Sequence, residues 1–227
     1  MNAIECSNIV KSFGEPPLTI LKGISFTVAK GEFLSITGRS GSGKSTLLYS
    51  ISGLDKINSG TVRLLGNDIH SMSEKEIHIF RNRKLGFVFQ FHYLLPEISA
   101  LDNILMPARK VKEEKKKFKM AIELMKSFNI YHCKDKLPSQ MSGGEMQRTA
   151  MARALIMEPE ILFADEPTGN LDTENGEKVM DILLKINKEM NTTVVMVTHE
   201  PDFASMASRQ IHLVDGQIDY DSKGKNK

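Results

Sequence analysis

The chain has 227 residues and is 41% hydrophobic, which fits one large domain, or one domain with an inserted lobe, around a sizeable core. Its 30 basic and 28 acidic side chains give a formal net charge of +2, which argues against nucleic acid as a partner. The N-terminal residues do not have the pattern of a secretory signal, and no run approaches the roughly 20 apolar residues of a membrane span.

Short apolar runs alternate with helical patterns along the chain, and this order predicts a mainly parallel sheet covered by helices. Three early runs predict strands that form an antiparallel flank beside that core, at 4–10, 19–28 and 61–65. Further strands are predicted at 33–37, 86–89, 161–164 and 193–198, with a closing hairpin at 211–218 around an Asp-Gly turn. Between about 95 and 154 the pattern is mostly helical, and another helix is predicted at 176–190.

Two cysteines, Cys6 and Cys133, are present in the chain. Their spacing matches neither a metal site nor a redox motif. We therefore expect reduced thiols in a cytosolic protein, with a disulfide as the less favoured alternative.

Residues 38–45 read Gly-Arg-Ser-Gly-Ser-Gly-Lys-Ser, the pattern of a phosphate-binding loop, between a predicted strand and the start of a predicted helix. The glycines allow a tight turn in which successive N–H groups face phosphate oxygens, and the helix N-terminus adds free N–H groups. Lys44 can reach the outer phosphates, and the Ser45 hydroxyl can ligate Mg²⁺. The loop predicts a bound nucleotide, but kinases, GTPases, motors and transport ATPases all use it.

The predicted strand at 161–164 ends in two acids, Asp165 and Glu166. Parallel sheets bind ligands beyond the carboxyl ends of their strands, so both side chains are expected near the nucleotide. Asp165 can hold Mg²⁺ directly or through water, and Glu166 can polarise an attacking water molecule.

A second anion-binding pattern, Ser142-Gly143-Gly144, opens an alanine-rich helical stretch far along the chain from the first. Two phosphate sites in one chain are unexpected for a monomer. They are explained if the second one acts on the nucleotide of a neighbouring subunit.

Four further motifs occur along the chain: Phe13, Gln90 after its strand, Gly-Asn-Leu-Asp at 169–172 and His199 after its strand. With these motifs, which stand in the family's order, the chain resembles over essentially its whole length the nucleotide-binding subunit of an ATP-binding-cassette (ABC) transporter. The resemblance implies an α/β P-loop NTPase fold with a mainly parallel sheet, an antiparallel flank and an inserted helical subdomain. It implies one domain, 1–227, with a core of about 1–94 and 155–227 and a helical subdomain of about 95–154.

The resemblance also implies the bound groups, ATP and Mg²⁺, and the residues that contact them. Phe13 would stack on adenine. Gln90 would contact Mg²⁺ and water, and Asp165 would serve the metal. Glu166 would be the catalytic base, and His199 would contact the γ-phosphate. The phosphates and the metal would also be held by Gly38, Arg39, Ser40, Gly41, Ser42, Gly43, Lys44, Ser45 and Thr46.

In the family, ATP lies between two subunits of a homodimer. Ser142, Gly143 and Gly144 would grip the γ-phosphate bound to the opposite subunit, and Asp172 would link the two sites. This chain departs from the usual pattern at three positions, Arg39, Met141 and Glu145, and none of these removes a catalytic group.

The stretches at 87–96 and 164–172 resemble the subfamily of the lipoprotein-releasing ATPase LolD, the macrolide and peptide exporter MacB and the cell-division ATPase FtsE. The Phe-His-Tyr-Leu-Leu-Pro and Ser-Gly-Gly-Glu forms are closest to the lipoprotein-releasing members. This implies a peripheral protein on the cytoplasmic face of the inner membrane, bound to two permease subunits of the LolC/LolE or MacB type. Closure of the ATPase dimer would drive lipoprotein release, with drug or peptide export and cell division as the alternatives.

Two other classes of protein are less favoured as interpretations of this sequence. Soluble ATPases that handle nucleic acids carry long coiled coils or two cassettes, whereas this chain has one cassette and no heptad run. An adenylate-type kinase would leave the Ser-Gly-Gly motif unexplained.

Overall fold

The strands form two sheets, a mainly parallel one and an antiparallel one, as the sequence predicts. The structure, a computed structural model, describes residues 1–224. Its strands are β1 (Asn2–Phe13), β2 (Leu18–Ala29), β3 (Phe33–Gly38), β4 (Ser59–Leu64), β5 (Asn67–Asp68), β6 (Leu85–Phe89), β7 (Ile161–Asp165), β8 (Thr193–Val197), β9 (Arg209–Val214) and β10 (Gln217–Asp221).

The larger sheet has the order β10-β9-β3-β8-β7-β6, with every neighbouring pair parallel except the closing hairpin of β9 and β10. The smaller sheet, β2-β1-β4-β5, is antiparallel throughout. These sheets confirm the predicted parallel core with its antiparallel flank. Every residue of β7 and β8 is buried, as expected for Val- and Ile-rich strands covered on both faces.

The helices cover the larger sheet and none of them, within residues 1–224, is long and apolar enough to cross a membrane. Short 3₁₀ turns lie at Tyr131–Cys133, Pro138–Gln140 and Ser222–Gly224. The α-helices are α1 (Lys44–Ile51), α2 (Glu74–Lys84), α3 (Ala100–Lys110), α4 (Glu114–Ser127), α5 (Gly143–Leu155), α6 (Thr173–Met190) and α7 (Pro201–Ser205).

Two apolar clusters build the core. One joins the antiparallel sheet, α1 and part of the larger sheet, and includes Ile4, Leu47 and Phe163. The other joins strands of the larger sheet to α3, α4, α5 and α6, so the helical stretch has no separate core of its own. Fully buried methionines run through this second cluster, at positions 125, 151, 180 and 196. The division into a helical subdomain of about 95–154 and a core of about 1–94 and 155–227 stays a prediction.

Parallel pairing of β3, β6, β7 and β8 brings their carboxyl ends to one edge of the sheet. At that edge lie Gly38, Phe89, Asp165 and Val197, each directly before a segment with predicted site residues. The topology therefore gathers motifs that are far apart in sequence.

Candidate nucleotide site

The loop between β3 and α1 has the tight geometry that its glycines predict. Gly43 has φ 98°, a left-handed value, and serves as the N-cap of α1. A Cβ atom on Gly38 would lie only 2.4 Å from the carbonyl oxygen of Leu213, so the close approach to β9 requires glycine. The Ser42 hydroxyl is buried and has no hydrogen-bond partner among the described residues. These features fit a cradle whose partner is a phosphate group.

Lys44 is hydrogen-bonded to the backbone of this loop. Its ammonium group donates to the carbonyl oxygens of Gly38 at 3.0 Å and Arg39 at 3.2 Å, and its side chain is largely buried. The charge therefore lies inside the loop, where it can meet phosphate oxygens. The Arg39 backbone takes part in this contact, but residue 39 itself is exposed.

A cleft of about 510 Å³ opens beside the loop. Besides Ile20, its lining consists of predicted site residues: Phe13, Ser40, Gly41, Gly43, Lys44, Ser45, Thr46, Gln90 and Glu166. Phe13 is 45% exposed, so its ring is available for stacking. The structure thus gathers residues from β1, the phosphate loop and the segments after β6 and β7 around one space.

Asp165 lies against the start of α1, with oxygen donors around it. The Ser45 hydroxyl donates to Asp165 Oδ1 at 2.9 Å, and the Tyr49 hydroxyl donates to Asp165 Oδ2 at 2.6 Å. Hydroxyl and carboxylate oxygens are the ligands that Mg²⁺ prefers in proteins, and the Gln90 amide oxygen is of the same hard type. Ser45, Gln90 and Asp165 therefore fit a Mg²⁺ ion.

Tyr49 is a site residue that the sequence analysis missed. Its position four residues after Ser45 places both side chains on the same face of α1, which is the signal that could have revealed it. Its ring packs edge-on against Phe89 with centroids 6.4 Å apart. Burial, followed by the hydrogen bond to Asp165, raises the pKa of Tyr49 above its usual value. The neutral Tyr49 hydroxyl thus holds in place Asp165 Oδ2, the carboxylate oxygen that does not accept from Ser45.

Replacing Tyr49 with Phe should lower the ATPase rate about tenfold and raise the Mg²⁺ concentration needed for half-maximal activity. The change keeps the ring but removes a hydrogen bond to a charged group, typically worth about 1.5–3 kcal/mol. The rate should be measured across a Mg²⁺ titration. Tyr131→Phe, at an exposed position, is the matched control and should behave like wild type. An unchanged Mg²⁺ requirement in Tyr49→Phe would show that this hydroxyl does not orient Asp165.

Glu166 follows β7 in a strained conformation. Its φ of 47° is left-handed, which is uncommon for a residue with a side chain and recurs at functional sites. Its N–H donates to the carbonyl oxygen of Val197 at 3.0 Å, which ties it to the end of β8. His199 Nδ1 lies 2.8 Å from Glu166 Oε2. The Glu166 backbone is thus tied to the end of β8, and its carboxylate lies beside an imidazole, where it can accept a proton from water.

Gln90 also lines the cleft and is held by a neighbouring side chain. Its amide nitrogen donates to Asn170 Oδ1 at 3.2 Å, and Asn170 Nδ2 donates to the Gln90 carbonyl oxygen at 3.1 Å. Buried Gln147 donates to the carbonyl oxygens of Phe89 and Pro167, at 3.3 and 2.6 Å, and so links the segments after β6 and β7. Asn170 and Gln147 are supporting residues to which the sequence analysis gave no role.

Ser142, Gly143, Gly144 and Asp172 form a second set, and none of them belongs to the described lining of the cleft. Ser142 caps α5: Glu145 N–H donates to its hydroxyl at 3.3 Å, and Ser142 N–H donates to Glu145 Oε2 at 2.7 Å. The Ser142 N–H, followed by weaker contacts, lowers the pKa of Glu145 to about 2.

Asn175 connects the two parts of this second set. Its N–H donates to Asp172 Oδ1 at 2.8 Å, which lowers the pKa of Asp172 and caps α6. Arg148 of α5 donates to Asn175 Oδ1 at 3.0 Å. A Cβ atom on Gly144 would lie 2.4 Å from that same oxygen, so glycine lets the helices approach. One chain therefore carries two separate groups of predicted site residues.

Comparison with known proteins gives the same family that the sequence motifs indicate. The family described as ABC transporter matches residues 21–169. The lipoprotein-releasing system ATP-binding protein LolD of Leptospira interrogans is 50% identical over 217 residues, covering 96% of this chain and 91% of that protein. LolD of Aquifex aeolicus is 52% identical over 200 residues, covering 88% and 89%. The bacitracin export ATP-binding protein BceA of Halalkalibacterium halodurans is 45% identical over 226 residues, covering 96% and 87%.

Solved structures of ATP-binding cassettes have the same fold as this chain. A dimeric bacterial ABC transporter cassette superposes with a TM-score of 0.89 at 38% identity, covering 99% of this chain and 100% of that one. The dimeric post-hydrolysis state of an ATP-binding cassette, bound to ADP and Pi, superposes with a TM-score of 0.88 at 35% identity over the same shares. The matched family, the sequence relatives and the shared fold lead to one conclusion: the chain belongs to the ABC transporter family.

Proposed function

We propose that this chain is the ATP-hydrolysing subunit of a membrane complex that releases lipoproteins from the inner membrane towards the outer membrane. The observation that carries the ATPase assignment is that one chain has two separate groups of predicted phosphate-binding residues, in the cleft beside Lys44 and at the capped start of α5. The lipoprotein cargo is supported by relatives named LolD that are 50% and 52% identical. A relative named for bacitracin export, at 45% identity, keeps peptide export as the second candidate.

In this proposal the cleft binds ATP. Phe13 stacks on the adenine ring, and the loop N–H groups with Lys44 hold the phosphates. Mg²⁺, held by Ser45, Gln90 and Asp165, would neutralise phosphate charge when it is bound.

Glu166 acts as the general base in this proposal, since it lines the cleft and its carboxylate lies beside His199. The base takes a proton from the attacking water. His199 orients the carboxylate through its 2.8 Å contact and can reach the γ-phosphate. Gln90, which lines the cleft and is hydrogen-bonded to Asn170, contacts the attacking water and Mg²⁺ in this proposal.

The second group completes the site of another subunit. In a homodimer with two-fold symmetry, the start of α5 in one chain faces the cleft of the other. Ser142, Gly143 and Gly144 then contact the γ-phosphate held by the partner's loop, and Asp172 lies between the two sites. ATP closes this dimer, and hydrolysis allows it to open.

The membrane partners are two permease subunits, LolC/LolE-like in the favoured assignment and MacB-type in the alternative. They hold the chain peripherally at the cytoplasmic face of the inner membrane. The docking surface that we assign them is the apolar segment after Gln90, in which Phe91 and Tyr93 are 61% and 65% exposed. Arg153 of α5 donates to the carbonyl oxygens of His92 at 2.7 Å and Tyr93 at 2.5 Å, so this segment is anchored to the helix that Ser142 caps.

Replacing Tyr93 and Leu94 together with Ala should weaken assembly with the permeases and abolish their stimulation of ATP hydrolysis. The double change removes apolar side chains from the proposed contact but leaves the cleft intact. Assembly is measured by co-purification, and ATPase activity is measured with and without the permeases. Phe118→Ala, at another exposed apolar position on α4, is the matched control. Undiminished assembly and stimulation in the double variant would contradict the docking surface.

The cargo is tested by reconstitution. The chain and the permeases that co-purify with it are placed in proteoliposomes that contain a lipoprotein, and ATP-dependent release into the external solution is measured. Release should require ATP and fail with Lys44→Ala. Release of a peptide antibiotic, with no release of lipoprotein, would favour the exporter alternative.

A further inference from the structure

A cluster of three possible metal ligands lies at the base of α5, outside the cleft. His132 and Cys133 belong to the 3₁₀ turn Tyr131–Cys133, and Glu145 belongs to the first turn of α5. His132 Nε2 lies 2.6 Å from Glu145 Oε1, and the Cys133 thiol donates to the same oxygen at 3.2 Å. The three ligand atoms all lie within 4.8 Å of one another, and among residues 1–224 no other such group combines these residue types.

The carboxylate in this cluster is fixed in place. Glu145 Oε2 accepts the N–H of Ser142 at 2.7 Å, so the capping contact occupies one oxygen and directs the other at His132 and Cys133. Cys133 is fully buried, whereas the His132 side chain is 55% exposed. The cluster is therefore closed on the thiol side and open to solvent on the imidazole side. An ion can enter there without unfolding either element.

The types of ligand atom in this cluster determine which metal ion it would bind. Imidazole nitrogen, thiolate sulfur and carboxylate oxygen are the usual ligands of Zn²⁺, whereas Mg²⁺ and Ca²⁺ prefer oxygen alone. Ligand atoms about 2.1 Å from a tetrahedral Zn²⁺ lie roughly 3.4 Å apart. The 2.6 Å separation of nitrogen and oxygen must therefore widen by less than about 1 Å, which an exposed imidazole can provide.

We propose that His132, Cys133 and Glu145 bind one Zn²⁺ or a similar transition-metal ion, with water in the fourth position. The ion displaces two protons from the contacts with Glu145: the thiol proton leaves to solvent, and the proton on His132 Nε2 is exchanged through solvent to Nδ1, so that Nε2 can ligate. Binding clamps the 3₁₀ turn to the first turn of α5 without disturbing the Ser142 cap. If the function proposed above is correct, the clamp holds rigid the helix start that meets the partner's ATP. Metal binding itself does not depend on that function.

The test uses the full chain without nucleotide. Zn²⁺ binding is measured by calorimetry, and Co²⁺ is used as a probe because a cobalt–thiolate bond gives a charge-transfer absorption. We expect one ion per chain and a cobalt–thiolate band. Cys133→Ser should abolish the band and weaken Zn²⁺ binding by more than roughly tenfold, the loss seen even when an outer partner of a metal ligand is removed. His132→Ala should weaken binding by a similar factor.

The chain supplies matched controls. Cys6 is the other of its two cysteines and is also buried, so Cys6→Ser should keep both the band and the affinity. His78 is exposed on α2, so His78→Ala controls for loss of a surface imidazole. Melting temperatures without metal verify that each variant folds. Should Cys133→Ser fail to fold, His132→Ala, at an exposed side chain, still decides the question. Absence of a thiolate band, or equal Zn²⁺ affinity in wild type and His132→Ala, would overturn the proposal.

Discussion

The Glu166→Gln variant is expected to bind ATP, to accumulate as an ATP-bound dimer and to hydrolyse ATP roughly 100- to 10,000-fold more slowly than wild type, the usual contribution of a general base. The amide has nearly the same size as the carboxylate, so the backbone contact to Val197 and the cleft remain. It cannot accept a proton from water, so the bound nucleotide is not consumed. Phosphate release gives the rate, and size-exclusion chromatography with ATP gives the dimer.

The control for this variant is Glu177→Gln, which makes the same chemical change at an exposed position on α6. It should hydrolyse ATP at the wild-type rate and form no trapped dimer. Hydrolysis by Glu166→Gln at the rate of this control would remove Glu166 from its proposed role. Slow hydrolysis without a trapped dimer would retain the base but contradict closure of the dimer by ATP.

Two inactive variants should regain activity when they are mixed, because each ATP is proposed to lie between two chains. Lys44→Ala destroys the phosphate loop but keeps a normal α5 start, and Ser142→Arg does the reverse. A mixed dimer combines Lys44 of one chain with Ser142 of the other in one intact site. With random pairing into two-fold dimers, the ATPase rate should return to roughly a quarter of the wild-type value.

The matched control mixes Lys44→Ala with the double variant Lys44→Ala/Ser142→Arg. No dimer in this mixture contains a site with Lys44, so its rate should stay at the background level. If the first mixture shows only the average of its two separate rates, the second group does not complete a neighbour's site. When both variants also carry Glu166→Gln, retention of one labelled ATP per mixed dimer after gel filtration provides a measurement that is independent of turnover.

The sequence predicted best those features that depend on neighbours in the chain. The phosphate loop is one continuous segment, so its glycines and Lys44 could be placed from spacing alone. Helix α2 was not predicted, because it is mostly charged and its apolar contacts with the core, through Ile77 and Phe80, leave no residue fully buried. Its capping box, Ser73 with Glu76, was the available signal.

Features that depend on packing could not be predicted from the sequence. Cys133 has no metal-ligand spacing to Cys6, and the sequence analysis assigned it no partner. Its neighbours His132 and Glu145 meet it only because a 3₁₀ turn packs against the start of α5. The contact between Gln90 and Asn170 likewise joins residues that are 80 positions apart. The second contact follows from the pairing of β6 with β7 and the first from the packing of a turn against a helix, and periodicity specifies neither.

The buried methionines between the larger sheet and the helical stretch have a mechanical consequence. Positions 125, 151, 180 and 196 place unbranched thioether side chains in the cluster that joins α4, α5 and α6 to β8. Methionine has three rotatable side-chain bonds and fills irregular gaps, so such a boundary can repack where branched aliphatic side chains would resist. A tilt of the helix that starts at Gly143 against the sheet would therefore lose little apolar contact, because these side chains can repack around it.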